Sequence, residues 1–304
     1  MKCIRCSETA VYRRVYSGEL LCATCFSSSI VMKVAKTISQ YSMIEYGDAI
    51  AVGVSGGKDS LTLLYILNIL SKKHNNRLIA ITIDEGISNY REESLAIASE
   101  FSKALGVEHR IFSYKELFNN TLDEMLIIRD TNSLKLSSCS ICGTFRRRAL
   151  DIAASKVDAD VLATAHNLDD YVQTFFMNVF AGDIDRIGFM HPKPIRYARG
   201  LRKIKPLISI YENEIIFYAM INNIPFQADQ CPYMNESIRN DIRRFLNSLE
   251  KEHAGIKYNM FNSILKISEM IKGNEKHKKC NICNMDSSMD ICSACKMKML
   301  VTKI

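Results

Sequence analysis

Between residues 48 and 165 short apolar runs alternate with amphipathic ones, and this alternation constrains the fold more than any other feature of the chain. DAIAVGV (48–54), RLIAITI (77–83), VEHRIF (107–112) and DVLATA (160–165) read as strands. SLTLLYILNILSKK (60–73), REESLAIASEFSKALG (91–106) and FRRRALDIAASKVD (145–158) read as helices between them. Strand–helix alternation of this kind predicts an α/β fold built on a doubly wound parallel sheet. Ligands of such sheets lie beyond the carboxyl ends of the strands. Three polar turns fall there: SGGKDS (55–60), DEG (84–86) and HNLDD (166–170).

SGGKDS has the physics of a phosphate site. Gly56 and Gly57 let the backbone approach an anion closely. The helix that follows directs free N–H groups and a positive dipole end at the same place. Lys58 adds charge, and Ser55 and Ser60 add hydroxyl donors. The stretch is not a Walker A loop, because Val52 stands at the first glycine position of that pattern and Asp59 follows the lysine. A Gly-rich turn without a ligand would need only the two glycines.

The 304 residues include eleven cysteines, in three groups. Cys3, Cys6, Cys22 and Cys25 form two CxxC pairs fifteen residues apart, and Cys280, Cys283, Cys292 and Cys295 form two pairs eight apart. Such spacing predicts a structural zinc ribbon at each end, with four thiolates and no open ligand position. AVYRRVYSGELL between the first two pairs suits a hairpin turning at SGE. The third group is Cys139, Cys142 and Cys231. The first two precede the helix read at 145–158 and three arginines, Arg146, Arg147 and Arg148, an environment that favours thiolate. Three thiolates suit either a 4Fe-4S cluster with one iron free of protein ligands or a persulfide resolved by a neighbouring cysteine. Buried inert thiols are the bland alternative.

The absence of a secretory h-region and of a long apolar run predicts an intracellular, reducing, cytoplasmic setting with no membrane partner. Net charge is +7. Two four-thiolate zinc sites, each of net charge about −2, would reduce this to roughly +3, so local clusters weigh more than the total. Arg186, Lys193, Arg196, Arg199, Arg202, Lys203 and Lys205 occur without an intervening acid, with His191 and Tyr197 among them. This run predicts RNA phosphate contacts, against the alternative of an exposed basic loop. Arg239, Arg243 and Arg244 could extend that surface, as could KHKKC (276–280).

SGGKDS after a strand resembles the PP-loop of the N-type ATP pyrophosphatases. Together with ITIDEGISNYR (81–91), CSICGTFRRR (139–148), AHNLDD (165–170), IKPLISIYENE (204–214), CPY (231–233) and the two ribbons, the chain resembles the TtuA/NcsA-type tRNA 2-thiouridine synthetases along essentially its whole length. It departs from their pattern at Ala165, Tyr171 and Val172. The resemblance implies an adenine nucleotide alpha hydrolase-like catalytic domain at 48–230. Around it lie an N-terminal ribbon at 1–28, a connecting helix at 29–47, a helical extension at 231–275 and a C-terminal ribbon at 276–304.

It further implies a tRNA sulfurtransferase that adenylates the C2 oxygen of a uridine and replaces it with sulfur. ATP would lie on Ser55, Gly56, Gly57, Lys58, Asp59 and Ser60, with Asp84 at the nucleoside, His166 nearby, and Asp170 and Asp169 at Mg²⁺. Lys58 and Asp170 would act in catalysis. Cys139, Cys142 and Cys231 would hold a 4Fe-4S cluster and deliver sulfur drawn from free sulfide or a ubiquitin-like thiocarboxylate carrier. A homodimer is implied too. The residues leave open whether the wobble or the T-loop uridine is the target. The rival classes are another PP-loop tRNA enzyme, such as a lysidine synthetase, which needs no cysteine trio, and a non-enzymatic zinc-ribbon RNA-binding module.

Overall fold

The computed structural model describes residues 1–72, 74–195, 200–229, 231–233, 238–271, 278–287 and 289–302. A short hairpin, β1 (Tyr12–Arg13) and β2 (Leu20–Leu21), leads into helix α1 (Ala23–Gln40). There follow β3 (Ala49–Gly53), α2 (Lys58–Ser71), β4 (Arg77–Asp84), α3 (Arg91–Ala104), β5 (Glu108–Ser113), α4 (Tyr114–Phe118), α5 (Leu122–Thr131) and α6 (Ser138–Lys156). Then come β6 (Val161–Ala163), α7 (Leu168–Phe180), α8 (Ile184–Gly188), β7 (Arg202–Ile204), α9 (Glu212–Ile221), α10 (Arg239–Glu252) and α11 (Ile256–Met270). A second hairpin, β8 (Lys278–Lys279) and β9 (Asp286–Ser287), and helix α12 (Ser293–Val301) complete the order.

The main sheet is parallel throughout, in the order β5-β4-β3-β6-β7. The strand order reverses between β3 and β6, so the carboxyl ends of β3, β4 and β6 meet at the switch point where such sheets bind ligands. The period of two in β4 sorts its side chains. Leu78 and Ala80 join one apolar core with Ile50, Leu63 and Tyr218, while Ile79, Ile81 and Ile83 join another with Phe145 and Ala149 of α6.

Three expectations need correction. The connecting helix expected at 29–47 is α1, Ala23–Gln40, because the Cys22 thiol caps it by accepting the Cys25 N–H. One helix therefore crosses the ribbon boundary placed at 28, and Cys3, Leu21, Cys22 and Phe26 share a core with the sheet. The helix read at 145–158 begins at Ser138, capped by the Ser137 side chain, so Cys139 and Cys142 lie inside its first turns. The basic run is not one surface. Arg202 is buried in β7 and pairs with Asp48 and Glu45, and Lys203 pairs with Asp151 at 2.6 Å. Acids distant in sequence meet these cations, which the local run could not reveal. Arg196, Tyr197 and Arg199 lie outside the described residues.

A buried ionic knot joins the N-terminal ribbon to the rest of the protein. The Glu214 carboxylate, fully buried, accepts from Arg14 Nε at 2.7 Å and Tyr16 OH at 2.9 Å, and pairs with Lys33 at 3.4 Å. Lys33 also donates to Tyr258 OH of α11 at 2.7 Å. Removing one member strands the others in a dry environment. Glu214→Ala is expected to lower stability by about 3–5 kcal/mol, read as a fall in the urea midpoint. A change below about 1 kcal/mol, the level of an exposed pair, would show that the knot holds nothing together.

Candidate functional site

The first cavity, about 320 Å³, opens at the switch point. Its walls include Gly53, Ser55, Gly57, Asp59 and Ser60 from the β3–α2 turn, Ile81, Ile83 and Glu85 from β4 and its end, and Thr164, His166 and Asp170 after β6. The three polar turns thus converge as expected. Gly56 adopts φ +81°, and a Cβ there would lie 2.4 Å from the Ser94 carbonyl oxygen. The loop lies so close to α3 that only glycine fits. Ser60 Oγ accepts from Ser55 N at 3.0 Å and donates to Gly57 O at 2.9 Å, drawing the loop over the start of α2.

Lys58 points away from this cavity. Its ammonium donates to Glu212 at 2.9 Å and Asp59 at 3.0 Å. Burial opposes its charge, but Asp59 and Glu212 outweigh that and hold it above its ordinary value. Burial raises the Asp59 carboxyl and brings Asp170 up to about 6, with Arg239 opposing at 3.6 Å from Asp170. A divalent cation between these two wall carboxylates would reverse the penalty, so they fit a Mg²⁺ site. Burial, reinforced by Lys205 and Arg239, takes His166 down to about 3, so its imidazole is neutral.

Two expected site residues are turned elsewhere. Asp84 accepts the Gly86 N–H at 2.9 Å and lines no part of the cavity. Asp169 is buried against Lys257 and accepts the Glu212 N–H at 2.8 Å. Glu85 takes the place expected of Asp84, and the alternation Ile81, Ile83, Glu85 in the sequence carries that signal. Asp170 alone of the HNLDD acids faces the cavity.

The second cavity, about 580 Å³, adjoins the first. Cys139, Cys142 and Cys231 all line it, with Arg147, Arg186 and Arg239. Arg146 lines both cavities. Its Nε donates to Glu85 at 2.7 Å and its Nη2 to the Cys142 sulfur at 3.1 Å. Glu85 is 2.8 Å from Arg91 Nε, and Arg91 reaches the Ser55 carbonyl at 3.3 Å. A chain of four side chains therefore runs from the phosphate loop to a cysteine. The segment before Cys231 is tied in as well, since Gln227 N donates to the Gly56 carbonyl at 3.0 Å.

The thiolate expected at Cys142 is opposed by burial, which pushes this thiol up; Arg146 pulls it down and Glu85 raises it again. A bound cation would supply the missing stabilisation. The sulfurs of each terminal group lie within 4.8 Å of one another, whereas the central trio forms no such group among the described residues. Its thiols are spread around a cavity, which fits a multi-iron cluster better than one tetrahedral ion.

Thiolates about 2.3 Å from a tetrahedral zinc are about 3.8 Å apart. Cys6 is 3.5 Å from both Cys22 and Cys25, and Cys283 is 3.8 Å from Cys292. Burial resists ionisation of Cys3 and Cys280, but surrounding backbone N–H groups prevail and bring each to about 6, whereas Cys25 is pushed up by its neighbouring sulfurs and Cys295 by burial, so a cation is needed to hold all the thiols of a group as thiolates. Both terminal groups therefore fit zinc. Arg148, by contrast, turns toward Cys292 and Cys283 and away from the central trio.

No helix among the described residues is long and apolar enough to cross a membrane. The PP-loop domain family matches residues 27–250. A probable sulfurtransferase of Methanocaldococcus jannaschii is 35% identical over 292 residues, covering 95% of this chain and 85% of its own. Cytoplasmic tRNA 2-thiolation protein 1 of Drosophila willistoni is 34% identical over 303 residues, covering 96% and 85%. The U34-tRNA thiolase NcsA of Methanococcus maripaludis, solved with its [4Fe-4S] cluster, superposes with a TM-score of 0.88 at 32% identity, covering 100% of this chain and 97% of its own.

Proposed function

The chain belongs to the PP-loop domain family and, within it, to the tRNA 2-thiolation enzymes, and from that premise we propose that it thiolates the wobble uridine of tRNA in two steps across its two cavities. In the first cavity Ile81, Ile83, Leu150 and Ala165 offer apolar walls for the adenine, and the phosphates lie along Ser55 to Ser60. Asp59 and Asp170 would hold Mg²⁺ against the outer phosphates. Lys58 leaves Glu212 for the phosphates and stabilises the charge that grows on them.

The uridine leaves its stack to reach this site. Its C2 oxygen forms a bond to the α phosphorus, and the bond to pyrophosphate breaks. The adenylated oxygen is then a competent leaving group. A hydrosulfide sulfur bonds to C2 and loses its proton, the C2–O bond breaks and AMP departs; where a thiocarboxylate brings the sulfur, water then cleaves the acyl–sulfur bond and the carrier leaves as a carboxylate. A 4Fe-4S cluster on Cys139, Cys142 and Cys231 would supply an iron without a protein thiolate, where such a sulfur can be held. Arg146, shared by both cavities, is placed to neutralise the α phosphate on one side and sulfur on the other. The terminal four-cysteine groups serve as structural zinc sites that fix the two ribbons.

The observation that carries this reading is the continuity of the phosphate loop with the cysteine cavity through Arg91, Glu85 and Arg146. Pyrophosphate release with an unmodified tRNA, compared with the same tRNA carrying cytidine in place of uridine 34, tests it. Release that requires uridine 34 supports the assignment. Equal release from both tRNAs moves the target to another uridine.

A further inference from the structure

Along α7 and α10, past the residues that line the cysteine cavity, the surface carries exposed aromatic rings. Met177 of α7 and Ile238, immediately before α10, line the cavity. One turn along α7 from Met177, Phe180 is 63% exposed, and two turns along α10 from Ile238, Phe245 is 53% exposed. Both rings lie beside Phe176, at centroid distances of 6.0 and 6.4 Å. Phe176 packs against the core beneath them, whereas the two outer rings project past it. An exposed aromatic cluster of this kind calls for a partner.

The charge around the cluster says which kind. Arg186, which also lines the cavity, pairs with Asp183 at 3.0 Å yet keeps its side chain 71% exposed, so its guanidinium stays open to a phosphate. Burial and the neighbouring Arg186 and Arg146 lower the affinity of Arg147 for its proton, so guanidiniums crowd this rim. A second copy meeting the same patch across a two-fold axis would set arginines against arginines. A flexible phosphodiester chain with exposed base faces satisfies both features at once, its phosphates at the guanidiniums and its bases on the rings.

Resting on the reading of tRNA as substrate, we propose that Phe180 and Phe245 form a stacking platform for unpaired loop nucleotides that flank the uridine extruded toward the cysteine cavity. The platform replaces part of the stacking that the loop gives up when that base leaves it. It recognises loop shape and base planes without reading a sequence.

The test uses Phe180→Ala, Phe245→Ala and Phe245→Trp in the full chain. Affinity is measured for a labelled tRNA stem-loop with unpaired bases and for a fully paired hairpin of equal length. Each alanine is expected to weaken stem-loop binding by about 5- to 100-fold, the range of one base stacked on one ring. Tryptophan should retain binding, and the paired hairpin should not distinguish the variants. Iron and zinc contents and the urea midpoint, followed in the same preparations, report intact folding. Unchanged stem-loop affinity in both alanine variants overturns the platform, as does a loss of dimer without a loss of RNA affinity. If the unaltered chain thiolates tRNA while the alanine variants bind normally, only the platform falls. If the unaltered chain neither binds the stem-loop nor thiolates it, the substrate reading falls as well.

Discussion

Cys142→Ala is expected to abolish thiolation while leaving uridine-dependent pyrophosphate release comparable to that of the unaltered chain. The two activities separate because the residues assigned to them lie in different walls. Cys142 lines the second cavity only, and the phosphate loop, Asp59 and Asp170 line the first. Protein purified without oxygen should contain about four irons and about two zincs, and the variant should lose the iron alone. Zinc without iron in the unaltered chain, even after anaerobic reconstitution, would favour persulfide chemistry at the same cysteines. Loss of pyrophosphate release in the variant would contradict the division of labour. Arg146 bonds to the Cys142 sulfur, so a modest effect on adenylation is compatible with this account and a large one is not.

Lys58→Ala is expected to reduce pyrophosphate release by about 10²–10³-fold, the cost of removing one preorganised donor from a developing charge, with iron and zinc contents unchanged. Lys58 rests on Glu212 and Asp59, so its arrival at the phosphates is an exchange of counter-ions. Glu212 is also 3.3 Å from Arg243 of α10, which can take over the carboxylate when the lysine departs. The contrast with Glu212→Gln is informative. That variant removes a competitor for Lys58 and should leave the pyrophosphate-releasing step largely intact. If Lys58→Ala released pyrophosphate at the rate of the unaltered chain, the lysine would have no part in the chemistry.

The alternation of strands and helices, the three polar turns and the two terminal thiol groups were legible in the sequence because each depends on local spacing. Period-two and helical patterns survive folding unchanged, and CxxC pairs bring their own ligands together. Choices between neighbours were harder to read. Asp84 and Glu85 are equivalent in composition, but only Glu85 shares the face of Ile81 and Ile83. Asp169 and Asp170 differ by one helical step, which sends the first to Lys257 and the second to the cavity. The strand containing Arg202 was hidden because its buried charge is neutralised by Asp48, 154 positions away. The start of α6 is masked in the sequence because Cys139 and Cys142 read as a motif rather than as helical positions. Arg146 appeared in the sequence as one of three similar arginines. Successive residues on a helix point about 100° apart, and here they reach the two cavities, the cysteine cavity alone and the C-terminal thiol group.

In the mechanism proposed, adenylation in one cavity is completed by sulfur delivered from the other, on one uridine. The most direct measurement cleaves tRNA into oligonucleotides after anaerobic incubation with the protein, ATP and sulfide, and weighs the fragment that carries uridine 34 alongside AMP and pyrophosphate. One oxygen is expected to be replaced by sulfur at uridine 34, with one AMP and one pyrophosphate formed for each 2-thiouridine and none of the three without ATP. Thiouridine formed without AMP, or AMP accumulating beside unchanged uridine when iron and sulfide are both present, would contradict this mechanism.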